Sequence, residues 1–109
     1  MKLTPLNGGE FDTAHGAEID LVVAQTLADA SGGDVSALFD LGVAFSTGSN
    51  GVTCDLIEAH KWFNIAASRG HEEAAWCRAD VSDEMSAREI SEAQRRARQW
   101  LNETRAKAA

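Results

Sequence analysis

Residues 37–74 read ALFDLGVAFSTGSNGVTCDLIEAHKWFNIAASRGHEEA, and the fold is decided there. Two helix-period patterns flank a glycine loop, and Gly70 closes the unit. In the first pattern Leu38, Leu41, Gly42 and Phe45 form one apolar stripe at spacings of three and four. Asp34 is placed to cap it, so a helix is expected over Val35–Thr47. Gly42 stands mid-helix, where glycine costs about 1 kcal/mol relative to alanine. A neighbouring helix backbone passing close by would account for it. Asp55 opens the second pattern, with Glu58 three residues on as a capping-box-like pair. Leu56, Ala59, Phe63 and Ala66 make its core face, with Trp62 and Ile65 at the flank.

Working outward, Met1–Gly16 is polar and glycine-containing and reads as an irregular arm. Ala17–Ser31 reads as a helix whose buried face is Ile19, Val22, Val23, Thr26, Leu27 and Ala30. Gly32-Gly33 ends it, because glycine takes the left-handed conformation past a helix terminus cheaply. After Gly70, His71, Glu72 and Glu73 open a weaker helix with Ala74, Cys77 and Val81 as its apolar positions. Ser86 and Glu89 then form a capping box, with Met85 and Ile90 as its hydrophobic staple. A last helix is expected from Ala87 to about Arg105, turning Ile90, Ala93, Ala97, Trp100 and Leu101 inward.

A chain of 109 residues fits one domain, here residues 17–109, and buries roughly two-thirds of its unfolded surface. Its one proline is Pro5, so nothing breaks the helical body. Charge is segregated along the chain. Met1–Ser86 carries 4 basic and 14 acidic residues, net −10, and the remainder carries 6 and 3, net +3. The acidic body argues against nucleic acid as a partner. No segment approaches the ~18 apolar residues of a membrane span. Two cysteines are too few for a disulfide scaffold. The expectation is a soluble, cytoplasmic protein with reduced thiols.

The chain repeats itself. Gly33-Asp-Val-Ser-Ala37 returns 37 residues later as Gly70-His-Glu-Glu-Ala74. Asp20-Leu-Val-Val-Ala24 matches Asp55-Leu-Ile-Glu-Ala59, and AHKWFN at 59–64 returns as ARQWLN at 97–102. Helices one, three and five are therefore one type, B, and helices two and four the other, A.

The central unit resembles a Sel-one-like repeat, a variant of the tetratricopeptide α/α solenoid. The resemblance rests on Ala37, Leu41-Gly42, Phe45, Gly48, Gly51-Val52, Asp55, Ala59, Trp62-Phe63, Ala66-Ala67 and Gly70. The loop carries one residue more than the family pattern, and the fourth helix lacks the Leu-Gly pair. The clear match covers residues 37–74, and the flanking halves match in part, as terminal caps do. The resemblance implies an all-α fold, a short α/α superhelix of about five antiparallel helices in the order B-A-B-A-B. It also implies a protein–protein interaction module that binds a peptide or protein partner on the concave face of its A helices. The positions it implies are Ser36, Phe39, Val43 and Ser46 in the second helix, and Glu73, Trp76, Asp80 and Asp83 in the fourth.

No stretch carries catalytic chemistry by spacing. His71-Glu72 begins an HExxH-like run, but position 75 is alanine. Cys54, His60, His71 and Cys77 do not have zinc-site spacing, and the helical hairpin sets the two cysteines roughly 15 Å apart. Gly48-Ser-Asn-Gly51 lacks the Lys-Ser/Thr of a phosphate loop. The reading is non-enzymatic, with no cofactor and no metal. Trp62 and Trp100 occupy equivalent repeat positions and read as scaffold, whereas Trp76 follows no such rule and reads as a binding anchor. A second reading is self-association, a dimer through the terminal helices that pairs the basic fifth helix with an acidic body. A metal-binding or enzymatic protein is a remote third.

Overall fold

The computed structural model describes residues 21–108, and they form helices joined by short turns, with no strand among them. Helix α1 is described over 21–31. It is followed by α2 (Val35–Thr47), α3 (Leu56–Ser68), α4 (Glu72–Ser82) and α5 (Ala87–Ala108). The N-terminal arm and the expected start of α1 at Ala17 lie outside the described residues.

Local chemistry sets each boundary. At the end of α1 the Asp34 N–H returns to the Asp29 carbonyl at 3.0 Å, and Gly33 holds φ +99°. That left-handed turn is inexpensive only for glycine. The Asp34 carboxylate accepts the Ala37 N–H and caps α2. The Asp55 N–H donates to the Phe45 carbonyl at 2.9 Å, and its carboxylate accepts the Ile57 and Glu58 N–H groups of α3. Glu58 does not complete a capping box, because the Asp55 N–H is already held by Phe45. Its carboxylate instead takes Lys61 at 3.3 Å and Arg96 at 2.8 Å. Ser86 and Glu89 do form the expected reciprocal pair at the start of α5, with bonds of 2.8 and 3.1 Å. That helix runs to Ala108, a few residues beyond the expected end.

Helix α3 is the hub, packed against α2, α4 and α5. This corrects the flank assigned to Trp62 and Ile65. Both are as buried as Phe63, because α3 has neighbours on three sides rather than one. Alanines at 59, 66, 74, 93 and 97 are buried at the contacts, where small side chains let helices approach. The explanation for Gly42 also changes. A Cβ there would meet the Phe63 ring at 2.4–2.9 Å, so the glycine makes room for an aromatic ring and not for a helix backbone.

Helix α1 is less buried than its stripe suggests. Ala30 is enclosed, but Val22 is 52% and Leu27 38% exposed. A shallow crevice separates Val22, Val23 and Thr26 of α1 from Leu41 and Ala44 of α2, so the stripe is only partly covered there.

Candidate functional site

Helix α4 positions the most distinctive surface of the described residues. Its inner positions are Ala74 and Val81, both buried, and half-buried Cys77 and Arg78. Arg78 is anchored by its Nη1, which donates to the Asn64 side-chain oxygen at 2.7 Å. That orientation sends the residues one half-turn away into solvent. Trp76 is 72% exposed, the most open large apolar side chain described. Glu72, Glu73 and Asp80 stand four before, three before and four after it, and all three are exposed. On a helix such spacings share one face. The result is an indole ringed by carboxylates. Glu72 was read from sequence only as a helix-terminus charge, although its i,i+4 spacing to Trp76 places it in this set.

The other expected positions divide. Ser36 is exposed at the start of α2. Phe39 is not an open floor. It stacks on His71 with ring centroids 4.4 Å apart and leans on Phe63 at 5.7 Å. Val43 is half-buried against the core, and the half-buried Ser46 hydroxyl donates to the Val43 carbonyl at 3.0 Å. Asp83 lies one residue past α4. Its N–H bonds back to Ala79 and Asp80, closing the turn before the Ser86 capping box. Contact between α2 and α4 is sparse. The structure thus joins Glu73, Trp76 and Asp80 on one face, while Phe39 and Val43 serve packing.

Two grooves flank α5. One, of about 310 Å³, lies between α3 and α5 and is lined by Glu58, Lys61, Arg95, Arg96, Gln99 and others. Its charges are already engaged with one another. Glu92 accepts from Arg95 and from Arg96, each at 2.7 Å, and Arg96 also reaches Glu58. Those two guanidinium hydrogen bonds, Arg95 first, hold the Glu92 carboxyl down at about 2. Glu103 accepts from Gln99 at 3.2 Å. The second groove, of about 470 Å³, holds Arg69 and Arg105 near the ends of α3 and α5. The groove is also lined by Ser31, Gly32 and Gly33 at the carbonyl end of α1, where cations are favoured without a ligand.

Interior titratable groups are tuned by burial. His60 is 3% exposed, its Nδ1 has no hydrogen-bond partner among the described residues, and burial followed by the Arg78 charge pushes its pKa down. Burial also raises the Cys77 thiol, helped by Glu73 and Asp80. Both cysteines are free thiols, and Cys54 is exposed. Among the described residues no three histidine, cysteine, aspartate or glutamate side chains gather as a metal site. No described helix is long and apolar enough to cross a membrane.

Comparison with known proteins adds no constraint: no family model, no curated protein and no solved structure matches the chain.

Proposed function

We propose that this chain is a protein-interaction module that captures a basic segment of a partner protein on the outer face of α4, with Trp76 as the anchor. The observation that carries the reading is the exposed indole with a carboxylate on each side along the helix. Tryptophan is enriched among the residues that dominate interfaces. Its ring face attracts a guanidinium or ammonium, and Glu72, Glu73 and Asp80 add the matching charge. The same fold already uses this contact internally, with Lys61 Nζ 4.2 Å from the Trp62 ring centre.

The scaffold behind this surface is, in our reading, a short α/α repeat array of the Sel-one-like kind. Residues one period apart occupy matching roles. Asp34 and His71, 37 residues apart, each cap the helix that follows, through the N–H of Ala37 and of Ala74. Gly33 and Gly70 share a positive φ, of +99° and +95°. Trp62 and Trp100, 38 residues apart, meet edge to face at 5.3 Å, and Glu58 and Arg96 at the same offset form an ion pair. Equivalent residues touching across successive B helices are what stacked repeats produce. Binding rather than catalysis is the role such a module performs, in a reducing cytoplasm that keeps exposed Cys54 a thiol.

Calorimetric titration of a short arginine–glycine peptide into wild type and Trp76→Ala tests the reading. The variant is expected to bind at least about tenfold more weakly.

A further inference from the structure

The acidic face of α4 has a counterpart on the same chain. Helix α5 exposes Arg88, Arg95 and Arg98, with Ser91 and Asn102 on the same line. Their spacings of three and four put all five on the side away from buried Ala93 and Ala97. The stripe holds no apolar residue and runs for about 20 Å. Arg95 is engaged by Glu92, but Arg88 and Arg98 make no ion pair among the described residues. Among the described residues it is Arg96, on the flank, whose ion pair ties the helix to the acidic body of its own chain, through Glu58. The remaining arginines are thus left over from intramolecular docking.

We infer that the basic segment held by α4 is the α5 stripe of a second copy of this chain. The inference rests on the reading of the α4 face as a binding surface and names its occupant. Charge complementarity carries it. One copy offers Glu72, Glu73 and Asp80 around an exposed indole, and the next offers guanidinium groups at helical spacing. Arginine stacks on tryptophan within this fold already, with the Arg69 guanidinium 6.0 Å from the Trp100 ring centre. A nucleic acid is the competing occupant of an arginine stripe. It would meet a chain of net charge −7, which repels a polyanion at long range, whereas a second copy turns the same segregated charge into attraction.

Sedimentation velocity of the full chain, at protein concentrations up to ~1 mM, reads the association directly. Expected is concentration-dependent self-association at ~50 mM salt that weakens strongly at ~500 mM, where the Debye length has shrunk to a few ångströms. Arg88→Glu with Arg98→Glu on one face, or Glu73→Lys with Asp80→Lys on the other, is expected to weaken it at least about tenfold. An equimolar mixture of the two charge-reversed proteins is expected to recover it, since the reversed α5 of one meets the reversed α4 of the other and their two wild-type faces also match, and a single chain carrying both reversals should recover it as well. Circular dichroism verifies that each variant is folded. A wild type that stays monomeric throughout, an association unmoved by either reversal, or binding of a single-stranded RNA oligonucleotide by a monomeric wild type through Arg88 and Arg98 would each overturn the inference. Monomeric wild type that still binds the arginine–glycine peptide through Trp76 would overturn the self-pairing alone.

Discussion

The Phe39 ring lies flat on the His71 imidazole, with centroids 4.4 Å apart and planes 11° apart. The same imidazole accepts the Ala74 N–H at Nδ1, 3.1 Å away, and so caps α4. One side chain therefore starts the helix that bears Trp76 and ties that helix to α2. His71→Ala is expected to cost about 1–2 kcal/mol, from the lost cap and the lost ring contact together. His71→Asp restores the cap but not the stack and should recover part of the loss. Urea midpoints of the three proteins measure both effects.

Gly42 faces Phe63, and an added methyl would sit 2.4 Å from the nearest ring atom. Phe63 is itself 1% exposed and cannot swing away. Overpacking costs about 1–3 kcal/mol, whereas alanine gains about 1 kcal/mol of helix propensity. Gly42→Ala is therefore expected to lower stability or leave it level, against the gain that a solvent-facing helix glycine would show. Chemical denaturation distinguishes the two.

His60 makes the fold acid-sensitive. Its folded pKa lies below the ordinary 6.5, so the unfolded chain takes up the proton more readily. The stability that neutral, buried His60 contributes is complete above about pH 6.5 and is lost as pH falls through the folded value. His60→Leu removes this proton linkage. Stability measured from about pH 7 down to about pH 4 should then fall less steeply in the variant than in wild type.

The helices were legible in the sequence because their signals are local. Asp34, Asp55, Ser86 and Glu89 cap where their spacing places them, and Gly33, Gly48 and Gly70 take the positive φ values that end helices. Features that depend on what lies opposite were not legible. Nothing near Trp62 or Ile65 in the chain reports that α3 is enclosed on three sides. Glu58 looked like half of a capping box until Arg96, 38 residues away, claimed its carboxylate. Phe39 carried the right spacing for an open floor but met His71. The exposure of Trp76 was readable for the opposite reason. Exposure on a helix follows from which residues are apolar, and Ala74, Cys77 and Val81 leave Trp76 on the far side.

The most direct measurement is the affinity of an arginine–glycine peptide for wild type and for Trp76→Ala, by calorimetry, with urea midpoints recorded alongside. Trp76 is 72% exposed, so its removal should leave stability within about 0.5 kcal/mol of wild type. The expected result is a Kd raised at least about tenfold in the variant at unchanged stability. Equal affinity of the two proteins, at equal stability, would contradict the assignment of α4 as the binding face.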